Sequence, residues 1–488
     1  MADEGRPELS QVLVDRRRKL EELRAAGVEP FPHAFPGVTP MAEVKAPHEA
    51  LADGAETDVP ARVAGRLAAR RGQGKAAFLD LVDRSGRIQL MARVNVLGEE
   101  AFARLLDLDL GDMIGADGTV MKTRAGELTL QLTGVTLLAK SLRPPPDKHH
   151  GLADVETRHR HREIDLLSSE EVRSVFMTRA KVIAAVRRFL DDAGFVEVET
   201  PVLQPIYGGA AARPFVTHHN QLGRDLYLRI ATELYLKRCI VGGLERVYEL
   251  GKDFRNEGVS FKHNPEFTML EWYEAYADYD DVARRCEALV AHIAEQAGYA
   301  AGDVDFGSPW RRETLGDAIR SRTGVDALAT RDVEALRSAL REQGLEVPEA
   351  EETWASLVDH LLSKYVEPEL IQPTFLLDYP VELSPFAKRH RSKPGLTERW
   401  EAYAGGMEIA NAFTELNDPD DQRARFEEQQ RFAAAGDEEA HPYDEAFVQA
   451  LEYGMPPTGG IGIGIDRLVM LMTGQSTIRE VVLFPAMR

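Results

Sequence analysis

Two short segments of this sequence carry residue types that suit the binding of a polyphosphate. One is Phe254-Arg255-Asn256-Glu257, and the other is the run from Gly460 to Arg467, in which glycine alternates with isoleucine. An arginine guanidinium presents a planar fork of N–H donors that matches a phosphate or a carboxylate. Glycines in a strand leave a bare face that a ligand or another backbone can approach closely. Together the segments predict a nucleotide site in which Arg255 and Arg467 face phosphates.

The residues after Arg255 could hold the rest of a nucleotide. Residues 252–268 have the pattern of two strands joined by a polar loop. In a strand, Glu257 would face the same side as Arg255, and its carboxylate could accept a hydrogen bond from an exocyclic amine. His263 could donate to a phosphate, and Phe267 offers a flat surface for a base. The alternative interpretation is a surface ion pair beside a core phenylalanine.

Acidic residues around the turn Gly405-Gly406 predict a metal site. Glu401 and Glu408 flank this turn, and a two-residue hairpin loop places them on one face. Paired carboxylates that face a polyphosphate are typical ligands of Mg²⁺. Three residues farther along the chain alternate and share a face: Asn411, Phe413 and Glu415. Strict alternation puts Glu408 on the opposite face from these three, so a shared pocket requires a β-bulge.

Two more acidic residues and a tyrosine lie in apolar stretches. Glu233 precedes Leu234-Tyr235-Leu236, and Glu271 and Tyr273 flank Trp272. A buried carboxylate is costly unless a cation pairs with it. A small cationic substrate could supply that cation. The alternative is a pairing with the protein's own lysines and arginines.

The elements that must position these residues fall into two regions. Between residues 60 and 140, about five short strands and a helix near 98–107 predict a small barrel of the OB type. Beyond about residue 150, helices and strands mix without a Walker or Rossmann phosphate turn, which predicts an α+β fold on an antiparallel sheet. A helix-rich stretch is expected at about 280–365. We assign the chain to four segments: an N-terminal helix and linker at 1–58, the barrel at 59–143, a linker at 144–165 and the second domain at 166–488.

The first helix is expected over residues 10–27 and is locally basic. Arg16-Arg17-Arg18-Lys19 gives it a run of adjacent cations. Such a run is either a solvated face or a contact with phosphate.

Composition excludes several classes of protein. The chain of 488 residues has a formal net charge of −21, which argues against broad, non-specific nucleic-acid binding. With only two cysteines, a disulfide framework and a Cys-rich zinc site are not expected. No run of about eighteen apolar residues exists, so no membrane span is expected. The N-terminus lacks an apolar signal-peptide core, and a cytoplasmic location is the default expectation.

Three ordered motifs carry a resemblance that covers nearly the whole chain. They occupy residues 194–201, residues 254–267 and residues 460–467. Further segments add to them: residues 208–215, 233–238, 415–418, 477–479 and 484–488. With these motifs the chain resembles the lysyl-tRNA synthetases of bacterial type, a family within the class II aminoacyl-tRNA synthetases. The resemblance implies a homodimer, because the first motif builds the dimer interface in that family.

The resemblance also implies ATP-dependent ligation of L-lysine to tRNA(Lys) through a lysyl-adenylate, with Arg255 and Arg467 as the catalytic residues. ATP would be bound by Arg255, Glu257, His263, Asn264, Phe267, Glu401, Glu408 and Arg467, and Mg²⁺ by Glu401 and Glu408. Lysine would be bound by Gly209, Glu233, Arg255, Glu271, Tyr273, Asn411, Phe413 and Glu415. In the barrel, the readers of anticodon bases would be Arg71, Phe78, Gln89 and Glu127, which fits the stacking and base-edge contacts of RNA recognition.

Some residues depart from the pattern of the family. His159 and Glu163 stand where tyrosines are usual, Thr232 replaces a proline, and Ala412 replaces a glycine between two pocket residues. The added methyl of Ala412 is expected to narrow the pocket or to touch a bound inhibitor, as in a divergent second copy of the enzyme. Two rival functions stay open: a lysine-activating paralogue that modifies a protein or another acceptor, and a non-enzymatic RNA-binding module.

Overall fold

The structure, a computed structural model, describes residues 11–72, 74–146, 152, 154–300, 302–348, 353–434 and 440–487. Ser10 of the predicted first helix, several residues of the predicted 144–165 linker and Arg488 of the last motif lie outside these residues. The chain divides into two compact units, Met1–Ala153 and Asp154–Arg488. Within the described residues, none of the helices combines the length and apolar character that crossing a membrane requires.

The first unit contains a closed five-stranded barrel with the strand order β1-β2-β3-β5-β4, which confirms the predicted OB architecture. Its strands are β1 (Glu56–Arg71), β2 (Ala76–Asp83), β3 (Gly86–Arg93), β4 (Met113–Lys122) and β5 (Leu128–Ala139). Strand β3 pairs in parallel with β5, and the other pairs are antiparallel. In β2, Ala77, Leu79 and Leu81 are buried inside the barrel. The alternate residues therefore face outward.

The α-helices described in this unit are α1 (Gln11–Ala25), α2 (Met41–Lys45), α3 (Val94–Leu97) and α4 (Glu99–Asp107). In α1, Arg16 is buried and donates to the backbone carbonyl oxygens of Leu110, Ser141 and Arg143. Lys19 pairs with Asp107 and Asp109. Arg16 and Lys19 therefore attach the helix to the rest of the unit, whereas Arg17 and Arg18 are exposed, as a solvated face predicts.

The second unit is built on an eight-stranded sheet with the order β12-β13-β14-β15-β16-β11-β10-β6, which confirms the α+β class. Its strands are β6 (Val196–Glu197), β10 (Arg246–Phe254), β11 (Glu266–Ala275), β12 (Arg311–Thr314), β13 (Thr374–Leu377), β14 (Arg399–Ala404), β15 (Met407–Thr414) and β16 (Thr458–Gly464). The pairs β12–β13 and β10–β6, at the two edges, are parallel, and the central pairs are antiparallel. A separate small sheet has the order β7 (Leu203–Gln204), β9 (Arg224–Leu228), β8 (Val216–His219).

The α-helices of the second unit precede its first strand or lie between and after its strands in the chain. They are α5 (Val155–Arg160), α6 (Arg162–Ser168), α7 (Glu170–Asp192), α8 (Glu233–Val241), α9 (Tyr279–Ala297), α10 (Leu315–Thr323), α11 (Val333–Glu342), α12 (Trp354–Leu361), α13 (Pro419–Ala434), α14 (Glu445–Glu452), α15 (Ile465–Thr473) and α16 (Ile478–Val481). The predicted helix-rich stretch contains α9 to α12, with β12 inside it. Several of these helices begin at a side-chain cap. Asp278, for example, accepts from the backbone N–H groups of Asp280 and Asp281 at the start of α9.

The main core lies on one face of the large sheet. Ile461 and Ile463 of β16 are buried there with Trp272 of β11 and Trp400 of β14. Residues of α7, α9 and α15 complete this cluster. Because side chains alternate along a strand, the glycines of β16 face the opposite side of the sheet.

Candidate active site

A cavity of about 320 Å³ opens on the glycine face of β16. Fourteen of the residues predicted to bind nucleotide or lysine line it: Gly209, Glu233, Arg255, Glu257, His263, Asn264, Phe267, Glu271, Tyr273, Glu408, Asn411, Phe413, Glu415 and Arg467. Glu401 does not line it. The structure thus brings together residues that lie up to about 260 positions apart in the chain.

The glycines of β16 form the floor of this cavity. Gly460 pairs with Tyr273 on one side and Phe413 on the other, and Gly462 pairs with Glu271 and Asn411. A Cβ atom on Gly460 would collide with the Glu415 carboxylate and the Tyr273 ring. The bare strand face therefore gives room to side chains of the neighbouring strands and leaves space above Gly462 and Gly464.

A β-bulge in the β14–β15 hairpin puts Glu408 on the cavity side. Tyr403 pairs with Glu408, whereas Ala402 pairs with Ala410, so Ile409 is the extra residue. Beyond the bulge, Glu401 pairs with Asn411. The inserted residue reverses the alternation, and Glu408 reaches the same cavity as Asn411, Phe413 and Glu415. The β-bulge that a shared pocket requires is therefore present.

One end of the cavity is cationic. Arg467 lies just after the start of α15 and donates to the backbone oxygen of Glu408 at 2.7 Å and to its carboxylate at 3.1 Å. Its other terminal nitrogen lies 3.2 Å from Nε2 of His263. Burial, together with the charges of Arg467 and Lys262, lowers the pKa of His263 to about 4. The ring is therefore neutral at pH 7, so Nε2 accepts from Arg467 and Nδ1 donates to Ser260.

Arg255 lies in the loop after β10 rather than in the strand. Strand β10 ends at Phe254, so the predicted strand alternation of Arg255 and Glu257 was wrong. The Arg255 backbone N–H donates to the Pro265 carbonyl at 2.9 Å, which closes the loop. The guanidinium lies 5.1 Å from the centre of the Phe267 ring. Both side chains line the cavity with their polar and aromatic surfaces available to a ligand.

The other end of the cavity is acidic. Glu233, Glu271 and Glu415 are each at most 5% exposed. Lys237, which is fully buried, pairs with Glu233 at 2.5 Å and also with Glu415. Glu271 accepts from the Thr232 backbone N–H at 3.0 Å and from the Tyr273 hydroxyl at 3.2 Å. The alternative expectation, a pairing with the protein's own cations, thus holds for Glu233, whereas Glu271 accepts from a backbone N–H and a hydroxyl.

Burial governs the ionisation of these carboxyl groups. Burial and the charge of Asp253 raise the pKa of Glu271 to about 8. Burial also raises the pKa of Glu415 to about 8, against the opposing effect of Lys237. The pKa of Glu233 is raised as well, for the same reason. Near neutral pH this end of the cavity therefore holds protons that an incoming cation would displace.

Glu401 lies on the same sheet face as Asn411 but beside the cavity, in a hydrogen-bonded cluster. It is 8% exposed, and its carboxylate accepts from Arg399 and from the hydroxyls of Tyr379 and Tyr403. The pKa of Glu408 is raised because the group is buried and because the Glu401 carboxylate repels its negative charge. No group of three or more His, Cys, Asp or Glu side chains in the described part of the chain has the arrangement of a metal site.

Comparison with known proteins agrees with this arrangement. The sequence profile of the tRNA synthetases class II (D, K and N) matches residues 154–488, and that of the OB-fold nucleic acid binding domain matches residues 61–138. A lysine–tRNA ligase of Roseiflexus castenholzii is 54% identical over 489 residues, which cover 99% of each chain. The chain belongs to the lysine–tRNA ligase family of class II synthetases. Other relatives with this name come from Chloroflexus aurantiacus, at 52% identity over 99% of each chain, and Clostridium perfringens, at 48% over 99% of this chain and 98% of the relative. The resemblance read from the motifs is confirmed.

The barrel places the four predicted base-reading residues of this family on one outer surface. Arg71 of β1 pairs with Phe78 of β2, and Gln89 of β3 pairs with Thr129 of β5. The Thr129 hydroxyl donates to Gln89 at 3.0 Å. The fourth residue, Glu127, precedes β5 and lies 3.5 Å from Arg87. An aromatic ring, an amide and charged groups thus share a surface.

Two departures from the family pattern have clear positions. Ala412 pairs with Trp400 and Ile461 and is fully buried in the main core, not in the cavity. The expectation that its methyl narrows the pocket was wrong, because residue 412 faces away from Asn411 and Phe413. Thr232 supplies the backbone N–H that Glu271 accepts, and a proline there would have no N–H to give.

The other two departures lie outside the cavity. His159 is buried with its Nε2 at 3.2 Å from Glu480, whereas Glu163 is exposed. The cavity lining includes neither of them.

Sequence reasoning missed three residues that hold the site together. Lys237 lies four residues after Glu233 on α8, a spacing that could have suggested the pair. Arg399 bridges the Glu401 carboxylate and the Asn411 side-chain oxygen. Asp466 accepts from Arg179 and from the Thr268 backbone N–H, which fixes the start of α15 against β11. Arg399 lies two residues before Glu401, a strand spacing that could have suggested this pair. No local signal in the sequence marks Asp466, because its partners are distant in the chain.

Proposed function

We propose that this protein ligates L-lysine to tRNA(Lys) in two ATP-dependent steps, with a lysyl-adenylate as the intermediate. The observation that carries the proposal is the single cavity with an acidic end at Glu233, Glu271 and Glu415 and a cationic end at Arg255 and Arg467. Gly460 adjoins the acidic end and Gly464 the cationic end, about 13 Å apart along a strand. An amino acid with two ammonium groups and a nucleotide polyphosphate fit these two ends. The names of the full-length relatives support the same activity.

In the first step the lysine carboxylate attacks the α-phosphorus of ATP, and pyrophosphate leaves. Arg255 contacts the lysine carboxylate and the α-phosphate, and Arg467 contacts the outgoing phosphates. No side chain acts as a nucleophile, so catalysis consists of alignment and neutralisation of the developing charge. The remaining ATP contacts come from Glu257, His263, Asn264 and Phe267.

The acidic end selects the amino acid. Glu233 and Gly209 bind the α-ammonium group, and the side chain enters a pocket made of five residues: Glu271, Tyr273, Asn411, Phe413 and Glu415. A neutral side chain would leave buried carboxylates without a partner, which is costly. In the second step, the 3′-terminal ribose hydroxyl of tRNA attacks the lysyl carbonyl, and AMP leaves.

Mg²⁺ belongs to the proposal as the ion that accompanies ATP. The donor chemistry fits, because Glu408 lines the cavity with 36% of its side chain exposed and Glu401 adds a second carboxylate on the same sheet face, beside the cavity. Glu408 would contact the ion, and a direct contact by Glu401 stays a prediction. Bound there, the ion would neutralise phosphate charge.

The partners follow from the two units. The barrel surface with Arg71, Phe78, Gln89 and Glu127 would read the anticodon of tRNA(Lys).

A homodimer is supported by exposed apolar side chains near the first motif: Val196, Val202, Leu203, Ile206, Val216 and Leu222. Sedimentation equilibrium checks this part, since a monomer at micromolar concentration would contradict it. The proposed role in translation places the protein in the cytoplasm.

The experiment that tests the function has two arms. Lysine-dependent exchange of pyrophosphate into ATP tests adenylate formation, and charging of purified tRNA(Lys) tests the transfer. We expect both activities, with Arg255→Ala and Arg467→Ala lowering kcat of the exchange by at least about 100-fold. Exchange without charging would point to a paralogue with another acceptor. Absence of both would contradict the proposal.

A further inference from the structure

Lys237 is a buried cation in direct contact with the acidic end of the cavity, but it does not line the cavity itself. Its ammonium group contacts Oε1 of Glu233 and Oε2 of Glu415. Its third neighbour is the Phe386 ring, with 5.3 Å from Nζ to the ring centre. Lys237 therefore lies behind the two carboxylates, on the side away from the ligand space.

Each carboxylate keeps one oxygen on the cavity side. Oε1 of Glu415 has no hydrogen-bond partner among the described residues and lies where a side chain on Gly460 would stand. Oε2 of Glu233 lies 3.6 Å from the position of a Cβ on Gly209. Gly209 and Gly460 both line the cavity. One ammonium thus contacts one oxygen of each carboxylate, and the second oxygens lie beside two glycines that line the cavity.

The charge of the acidic end follows from the same contacts. The carboxylates are Glu233 of α8, Glu271 of β11 and Glu415 after β15, and Lys237 is the cation that contacts two of them. The other charged and titratable groups that face them have different roles. Arg399 pairs with Glu401, Asp253 pairs with Arg229, and Tyr273 donates to Glu271. When all four groups are ionised, the three carboxylates and one ammonium leave a net charge of −2.

We propose that Lys237 is a positioning residue for lysine selection, which clamps Glu233 and Glu415 and sets the ionised pocket at a charge that two substrate ammonium groups neutralise. Without Lys237 the pocket would carry one more negative charge than lysine can match. One carboxylate would then take up a proton or turn away, and an ammonium subsite would be lost. Burial lowers the pKa of Lys237, but the charges of Glu233 and Glu415 raise it by more, to above the ordinary value. Lys237 therefore stays an ammonium. The inference rests on the proposed lysine pocket.

The test compares Lys237→Met with a matched control, Arg238→Met, in lysine-dependent pyrophosphate exchange. Arg238 is the next residue of the same helix and is exposed, so its variant removes the same charge without touching the pocket. For Lys237→Met we expect the KM for lysine to rise by at least about 30-fold and the KM for ATP to change by less than about threefold. Lys237→Arg keeps the charge and should recover part of this loss. Arg238→Met should leave both constants within about twofold.

A double variant separates positioning from a merely structural role. If Lys237 acts through Glu415, then Lys237→Met combined with Glu415→Gln raises the KM for lysine by less than the product of the two single effects. An additive result would overturn the proposal, and so would equal rises of KM for lysine and ATP in Lys237→Met. If Lys237→Met does not fold, the double variant is compared with Glu415→Gln alone. A KM for lysine within about threefold supports the proposal, and a larger difference overturns it. An inactive wild-type protein would instead refute the proposed function.

Discussion

Buried carboxyl groups make the recognition of lysine depend on ionisation. The pKa values of Glu271 and Glu415 are raised to about 8, and burial is the largest cause of both shifts. Below that pH each group tends to carry a proton, but an ammonium ligand needs the ionised form. Binding of lysine therefore releases protons, and by linkage it strengthens as the pH rises toward 8.

We expect the KM for lysine to fall by at least about tenfold between pH 6.5 and pH 8.5. The KM for ATP should vary less, because the guanidinium groups of Arg255 and Arg467 do not titrate in this range. Pyrophosphate exchange at a series of pH values measures both constants. Calorimetry of lysine binding in two buffers with different ionisation enthalpies counts the released protons. A KM for lysine that stays flat across this range would contradict the assignment of these two residues.

Strand β16 runs from the acidic end of the cavity to the cationic end. The atoms next to each glycine decide whether a larger residue would fit there. Gly460 does not have a positive φ, so a side chain there is excluded by contact with Glu415 and Tyr273 rather than by backbone strain. At Gly464, in contrast, a Cβ would meet only the Arg467 side chain, at 3.8 Å. Glycine is therefore required more strictly at position 460 than at position 464.

We expect Gly460→Ala to lower the free energy of unfolding by about 1–3 kcal/mol, because it overpacks a closed site. Its KM for lysine should rise, since Glu415 or Tyr273 must move. Gly464→Ala serves as the comparison and should lose less stability, because its new methyl has space. Urea denaturation of the two variants checks this order. A larger loss of stability in Gly464→Ala than in Gly460→Ala would show that the side chains around Gly460 move easily to make room for a methyl group.

At the scale of the whole molecule, the two compact units separate two kinds of recognition. The barrel carries the proposed base-reading surface, and the second unit carries the cavity. Adenylate formation needs only the cavity, whereas the transfer step also needs a bound tRNA. Variants of the barrel surface should therefore affect one activity and spare the other.

Phe78→Ala should raise the KM for tRNA(Lys) by about 10- to 100-fold, because stacking of one base on an aromatic ring contributes about 1–3 kcal/mol. Its pyrophosphate exchange should equal that of the unmodified protein. Phe31→Ala, at an exposed phenylalanine outside the barrel strands, is the control and should change neither activity. Charging assays with purified tRNA measure the effect. A loss of exchange in Phe78→Ala would mean that the barrel surface serves the cavity as well.

Local patterns in the sequence determined much of this protein. Alternation along β16 assigned its two faces, because a strand turns successive side chains to opposite sides. The same alternation, applied to β15, puts Ala412 on the other sheet face from Asn411 and Phe413. The prediction that its methyl narrows the pocket did not take this into account. The order of the motifs identified the family, since their glycines, arginines and carboxylates lie at fixed places in the chain.

Only the tertiary structure decided how these pieces meet. The bulge at Ile409 depends on the register between β14 and β15, and the sequence of one strand does not contain that register. The pairing of Lys237 with Glu415 joins residues 178 positions apart, so no local spacing reveals it. Burial raises the pKa of Glu271 and Glu415, and burial exists only once the sheet and helices have packed around them. Residue types are written in the chain, but the electrostatic environment that gives them their chemistry is a property of the folded whole.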